Sequence, residues 1–425
     1  MTINNHLLHT PDGVKDYMPS DYAAKASVEH RLETVFQGHG YARVSSPMFE
    51  YADVFDEKGS VTQTSIYKFI DRDGSVLALR SDMTPQIARM VTTLCRPEDV
   101  PLRFCYVENA FRYNESYQGK LKEFTQAGVE LIGVHTDEAS AEIIALAVSS
   151  LLAVGLKDFR IDIGQVQFFQ GILEEGGFDE AGSRFMRQSI IKRDYVAVEK
   201  AASKADIPEN VRTVLSELPL LIGGAEVLQT ARGLTQNASA LEALANLENI
   251  YHILCDYGME RYISFDLSMV GHLDYYTGII FRGYAYGTGS SVIDGGRYDH
   301  LSMHFGANFP SVGFAIKIGV LVDALTEQSG TPAQENGSAD TLLAYTKEGQ
   351  KAALAAATEL RAQGLRIENS LVGGDICANE AYARARGMGG VLFFEDADFV
   401  TVIDVAGGTQ KRVRLGTLLG GEGMA

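Results

Sequence analysis

The sequence predicts an α/β protein of the α+β kind: an antiparallel sheet flanked by helices, interrupted by a helical insertion and followed by a small C-terminal α/β domain. Three observations lead there. Strand-like segments between residues 41 and 165 follow one another through hairpin-type connections, not in the strict alternation with helices that a parallel sheet requires. Residues 166–262 read as mainly helical, with few special residues, and strand patterns resume at 262–270 and continue to about residue 325. Residues 326–339 (TEQSGTPAQENGSA) are polar and rich in Gly, Pro and Ser, as a linker is, and residues 340–425 alternate strand and helix.

Each element has a local reason. Residues 21–38 space Ala24, Val28, Leu32 and Phe36 as a helical stripe, which Gly38 and Gly40 end. Tyr41–Val44 reads as a short strand running into Ser46-Pro47, where the missing amide of Pro47 suits a strand end. KFIDRDGSVLALR (68–80) reads as a hairpin, with Asp73-Gly74 supplying a positive φ. Asp82 and Thr84 are the expected caps of a helix that Pro85 opens and whose Ile87, Met90 and Val91 face inward. Strands follow at 103–112, 123–132 and 159–165, with an alanine-rich helix over 138–152. YGTGSS (286–291) lacks the Gly-Lys-Ser/Thr of a phosphate loop and reads as a hairpin turn, while Gly295-Gly296 allows close backbone approach. Beyond the linker, 341–345, LRIENSL, VLFFE and FVTVIDV read as strands, and 351–363 and ANEAYARARGM as helices.

Composition excludes several classes. The chain has 425 residues, 46% hydrophobic and 22% charged, enough for two or three domains with a well-buried core. No stretch approaches the apolar length of a membrane helix, and MTINNHLLHTPDG lacks the basic and apolar regions of a secretory signal. Cys95, Cys105, Cys255 and Cys377 lie far apart, without CxxC spacing, which suggests isolated thiols of a cytoplasmic protein. No grouping of His, Cys and carboxylates has metal-ligand spacing, and no cofactor is implied. With 55 acidic against 37 basic residues the net charge is −18, which weighs against nucleic acid as the main partner.

The residues that carry chemistry lie in a few ordered segments. Gln126 and Glu130, four apart on one strand, project from the same face, and an amide beside a carboxylate suits a cationic amine or an imidazole N–H. Tyr276 and Tyr298 each offer an apolar wall with one polar handle. Taken alone, Gln126 and Glu130 would be ordinary residues of a solvated sheet face, and Arg112 would pair structurally with Glu108 or Glu130. In the YY pair, strand alternation lets only one ring face a pocket.

TPDGVKDYMP (10–19), LRSDMTPQIAR (79–89), FRYNESYQGKLKEFTQAGVELIG (111–133), MVGHLDYYTGIIF (269–281) and DGGRYDHLSMHFGANFPSVGFAIKIGVL (294–321) together resemble the catalytic module of class II aminoacyl-tRNA synthetases, in its histidine-specific branch. The resemblance covers roughly residues 8–325 and implies a histidine pocket of Asp82, Arg112, Gln126, Glu130, Tyr276 and Tyr298. It selects Tyr276 from the YY pair and places Asp82 where the synthetase uses a Glu for the histidine amine. Residues 340–425 resemble a reduced anticodon-binding domain whose helices are poor in Lys and Arg.

Departures from the synthetase pattern decide the expected function. The family's Arg-Gly pair before Leu-Asp-Tyr-Tyr-Thr-Gly is Gly271-His272 here, and its motif 3 arginine falls at Val320. Asn114 replaces an acidic residue that reads ATP, and Lys120 replaces an arginine. His272, beside a turn, reads as a surface residue, not a base. Charge developing on phosphoryl oxygens needs positioned cations, so losing two arginines removes part of the activating machinery. This pattern is similar to the regulatory subunits of ATP phosphoribosyltransferase, the synthetase paralogues of histidine biosynthesis. That resemblance implies a non-catalytic chain that assembles with a short catalytic subunit and mediates feedback inhibition by histidine. It also implies a homodimer within a larger hetero-oligomer, through the helix 21–38 and strand 41–47. A catalytic histidyl-tRNA synthetase and a free-standing amino-acid sensor are the alternatives.

Overall fold

A computed structural model describes residues 8–55, 65–113, 121–204, 206–270, 275–329 and 339–419. The chain divides into two compact units, Met1–Ala333 and Gln334–Ala425.

The first unit opens with α1 (Pro19–Gly38), whose Val28, Leu32 and Phe36 are buried at the predicted spacing. Then come β1 (Ala42–Arg43), β2 (Phe49–Tyr51), β3 (Lys68–Ile70), β4 (Val76–Leu79), α2 (Thr84–Leu94), β5 (Leu102–Phe111), β6 (Glu123–Ile132), α3 (Asp137–Ala153) and β7 (Phe159–Gln165). Between 166 and 262 lie α4 (Val166–Glu175), α5 (Glu180–Ile191), α6 (Tyr195–Lys204), α7 (Glu209–Glu217), the two-residue β8 (Ile222–Gly223), α8 (Glu226–Leu234) and α9 (Ala238–Asp256). The unit closes with β9 (Ile263–Asp266), β10 (Ile279–Ala285), β11 (Ile293–Arg297), β12 (Ser311–Lys317) and α10 (Ile318–Ser329).

Nine strands form one sheet in the order β1-β5-β6-β12-β11-β10-β7-β9-β8. Its six central strands are antiparallel throughout, as expected, but β1–β5 and β7–β9 are parallel. Parallel neighbours need a long crossover, and the helical segment between β7 and β9 supplies one. Its Phe168, Ile172, Leu244 and Leu247 are buried in the same core as Val129, Phe281 and Phe314 of the sheet. That core fills one face of the sheet, beneath α1, α3, α9 and α10.

The hairpin at 68–80 forms, with Gly74 at φ +90° and its N–H bonded to Asp71 O at 3.0 Å. It belongs to a separate three-stranded sheet, β2-β4-β3. Arg80, 1% exposed, ties that sheet to the large one. Its guanidinium donates to Asn109 O (2.5 Å) and Ser46 O (2.8 Å) and pairs with Glu108 at 2.8 Å. Two sequence expectations need correction here. The segment 326–339 begins inside α10, where the Thr326 hydroxyl donates to Val322 O, because the apolar stripe of Leu321 and Ala324 carries the helix to Ser329. Asp82 and Thr84 do not cap α2, whose N-cap position is Met83, without a side-chain hydrogen bond.

The second unit holds β13 (Thr341–Tyr345), α11 (Gln350–Ala362), β14 (Ile367–Asn369), α12 (Ile376–Ala385), β15 (Gly390–Phe394), β16 (Phe399–Asp404), β17 (Thr409–Arg414) and α13 (Leu415–Leu419), with strand order β14-β13-β15-β16-β17. The edge strand β17 and α13 escaped the sequence reading because TQKRVR is exposed along nearly its whole length and has no apolar alternation. Among the described residues no helix is long and apolar enough to cross a membrane.

Candidate functional site

Over the centre of the large sheet, three glycines leave a recess in its second face, into which neighbouring side chains settle. Gly128 on β6, Gly313 on β12 and Gly296 on β11 all point to this side. A Cβ at 128 would run into the Tyr106 hydroxyl, one at 313 into the Glu130 carboxylate, and one at 296 would lie 2.6 Å from Cε1 of Tyr276. The bare backbone is thus the floor on which Tyr106, Glu130 and Tyr276 lie. The buried stripe of α2 and its N-cap walls one side, where Met83, Ile87 and Val91 pack with Tyr106, Ile132 and Phe309. Tyr275, Tyr298 and Leu301 form a second wall, and Met269 and Ile280 a third.

Gln126 and Glu130 project to this face as their spacing predicted, at 3% and 1% exposure. Both oxygens of Glu130 are engaged: Thr84 donates its hydroxyl to Oε1 at 2.8 Å, and Tyr298 donates to Oε2. Burial pushes the Glu130 carboxyl up to about 8, against the opposing pull of those two hydroxyls, and nearby Asp82 adds to the rise. Asp82 is also buried, with Oδ1 accepting the Met83 N–H at 2.8 Å. The caps expected of Asp82 and Thr84 are therefore replaced by pocket contacts, Thr84 being turned across the site to Glu130.

Arg112 lies at the rim. Its Nε donates to Ser81 O at 2.8 Å, Nη2 stands 3.8 Å from Asp82, and its guanidinium covers the Phe124 ring at 5.2 Å. The structural alternative of a pair with Glu108 or Glu130 is not realised, since Glu108 is held by Arg80 and by the Ser45 hydroxyl. The two tyrosines at 275 and 276 precede β10, so strand alternation does not separate them, and both reach the site. Tyr275 donates to Asp82 Oδ2 at 3.5 Å and meets the Tyr298 ring edge-on at 5.8 Å. Tyr276 lies over Gly296, and burial, followed by the charge of Asp294, raises its phenol.

All six predicted residues thus border one recess. Val320 sits in the first turn of α10 and packs, half-buried, against the main core. Gly271, His272, Asn114 and Lys120 fall outside the described residues. Sequence reasoning missed Tyr106, Thr84, Ser81 and Tyr275. Tyr106 is fully buried and directly opposite Gly128 in the β5–β6 register, a placement that only strand pairing reveals.

At this site three buried polar atoms, Gln126 Oε1, Tyr106 Oη and Ser81 Oγ, have no hydrogen-bond partner among the described residues. Buried groups of this kind are normally satisfied, which makes these atoms candidate contacts for a polar ligand. Tyr106→Phe keeps the ring and removes one orphan. The free protein should gain about 1 kcal/mol in a urea titration, while affinity for the occupant falls. One step further along the sheet, Lys317 and Arg282 approach Asp294 at 2.5 and 3.5 Å. Burial lifts the Asp294 carboxyl, but these two cations outweigh it and hold it below the usual range. Among the described residues no group of three His, Cys, Asp or Glu side chains is placed to hold a metal ion.

Comparison with known proteins agrees with this architecture. Residues 13–321 match the family model described as Histidyl-tRNA synthetase. The chain is 40% identical over 413 residues to the ATP phosphoribosyltransferase regulatory subunit of Acetivibrio thermocellus, covering 97% of this chain and 98% of that one. It is 41% identical over 366 residues to the protein of the same name from Thermoanaerobacter pseudethanolicus, covering 85% and 94%. Among solved structures, an ATP phosphoribosyltransferase regulatory subunit/histidyl-tRNA synthetase from Bacillus halodurans C superposes with a TM-score of 0.81 at 30% identity, covering 92% of this chain and 99% of that one. The histidyl-tRNA synthetase of Nostoc sp. shares the fold alone, with a TM-score of 0.80 at 19% identity over 97% of this chain and 98% of that one. A histidyl-synthetase family match, together with 40–41% identity over most of the chain to proteins of the regulatory name, means that this chain belongs to the ATP phosphoribosyltransferase regulatory subunit family.

Proposed function

We propose that the chain has no catalytic activity of its own and that its recess binds histidine as an effector, transmitting occupancy to a separate short phosphoribosyltransferase that it activates. The observation that carries this is the unsatisfied set Gln126 Oε1, Tyr106 Oη and Ser81 Oγ, grouped with the buried carboxylates of Glu130 and Asp82 and walled by tyrosines. Two carboxylates and an amide oxygen suit the amine and the ring N–H of a small amino acid, and the aromatic walls suit its flat side chain. The motif 3 arginine position, Val320, is spent on core packing, so the chain has no cation there to clamp a triphosphate.

Inhibition requires histidine to bind two states of the assembly with different affinity, and the coupling is reciprocal. Histidine should therefore bind the isolated chain and the reconstituted complex with different affinities. We place this chain in a homodimer, built on α1 and the β1 region, within a larger hetero-oligomer, in the cytoplasm and without nucleic acid.

Calorimetric titration with histidine, beside ATP–pyrophosphate exchange on the same preparation, tests the proposal. Saturable binding without exchange is expected, followed by histidine-sensitive activity on reconstitution with the transferase. Exchange activity would turn the reading to a catalytic histidyl-tRNA synthetase. Binding without any effect on a transferase would turn it to a free-standing sensor.

A further inference from the structure

The surroundings of Glu130 set up a linkage that the effector role does not require. The carboxyl is 1% exposed and lies on the glycine at 313. Its two contacts are neutral hydroxyls, from Thr84 at the start of α2 and Tyr298 just after β11. Among the described residues no cation pairs with it. Of the other polar groups turned toward it, Tyr106 comes from β5, Tyr275 and Tyr276 from the segment before β10, and Gln126 from its own strand; β12 contributes only Gly313. Asp82, before α2, is a second negative charge, and Arg112, the nearest cation, stands 3.8 Å from Asp82. A buried carboxylate with no counter-charge and an anionic neighbour keeps its proton until a positive partner arrives.

Resting on the histidine pocket proposed above, we infer that effector binding is proton-linked: the free protein holds a proton on Glu130, and the incoming cation or N–H displaces it to solvent. The balance is one carboxyl proton released to bulk water for each ligand N–H that takes its place against the carboxylate. Feedback inhibition is then stronger at alkaline than at neutral pH.

Burial places the Glu130 carboxyl at about 8 in the free protein, which sets the window. Below that pH the group is protonated, so affinity rises with pH by about tenfold per unit, and above it the affinity levels off. Above about pH 7 the ring of free histidine is already largely neutral and adds little of its own.

The test is calorimetric titration of the full chain with histidine at about pH 7, in phosphate and in Tris, two buffers of different ionisation enthalpy. The expected result is a buffer-dependent heat corresponding to about one proton released, absent in Glu130→Gln. Tyr298→Phe keeps the carboxyl but removes a donor to its ionised form, so the plateau in affinity should move to higher pH. That variant reads the linkage even where Glu130→Gln binds nothing. Saturable binding with the same heat in both buffers and an affinity flat from about pH 7 to 8 would overturn the proton linkage while leaving the histidine pocket standing. Undiminished proton release in Glu130→Gln would overturn the assignment to Glu130. Absence of saturable binding in either buffer would overturn the pocket proposal and the linkage together.

Discussion

Replacing Glu130 with alanine is expected to weaken histidine binding about 10- to 100-fold while leaving assembly with the transferase intact. A hydrogen bond to a charged group contributes roughly 1.5–3 kcal/mol, and about 1.4 kcal/mol is a decade in affinity. The substitution also leaves the Thr84 and Tyr298 hydroxyls without their acceptor, which adds to the loss. Titration calorimetry and histidine inhibition of the reconstituted complex measure the effect. Unchanged inhibition would move the allosteric site away from this recess. The same residue makes a separate stability prediction. In the folded chain its carboxyl is raised to about 8, well above the value of an unfolded glutamate. The folded state therefore holds a proton that the unfolded state releases. The stability linked to that proton is fully present below about pH 4.5 and is lost as pH rises through 8. Glu130→Gln escapes this loss, so its melting temperature should gain on the parent progressively from about pH 5 to pH 8.

Replacing Arg80 with alanine is expected to destabilise the first unit by about 3 kcal/mol, the lower end of the range for breaking a buried pair, because Arg80 is buried while Glu108 is partly exposed. Arg80 is 1% exposed, and its loss leaves Glu108 to the Ser45 hydroxyl and strands the carbonyls of Asn109 and Ser46. These contacts join the end of β4 to β5, and Ser81 and Asp82 follow directly in the chain. Loosening them should blur the recess as well as lower the midpoint of a urea titration. Replacing Arg80 and Glu108 together by apolar residues of similar volume should recover much of the stability, because no charge is then left unpaired. A single-variant loss below about 1 kcal/mol would show that the pair carries little of the attachment between the two sheets.

Most of the fold was legible because the elements obey local rules. The stripe of Val28, Leu32 and Phe36, the glycine turn at 74 and the same-face pair Gln126 and Glu130 are statements about spacing, and spacing is what a sequence records. The errors fall where a local preference lost to a distant partner. Thr84 has a good capping chemistry, yet its hydroxyl reaches Glu130, forty-six residues away. Tyr275 was excluded by an alternation rule that holds only inside a strand, and it precedes one. Arg112 was placed with the site by resemblance, and its alternative, a pair with Glu108, was closed off because Arg80 holds that carboxylate.

By itself, then, the sequence determined the alternation of elements, the one-sided burial of each, and the residue types able to meet a small cationic ligand. Its departures at Gly271 and Val320 also pointed away from adenylation. Only the tertiary structure decided that Gly128, Gly296 and Gly313 on three adjacent strands bare a common floor, that Tyr106 and Ser81 join the site with atoms unsatisfied among the described residues, and that Glu130 is enclosed with no cation among them paired to it. The physical reason is that burial and the pairing of charges are properties of the assembled surroundings. Strand register brings together glycines far apart in the chain, and the ionisation of a carboxyl depends on everything packed around it.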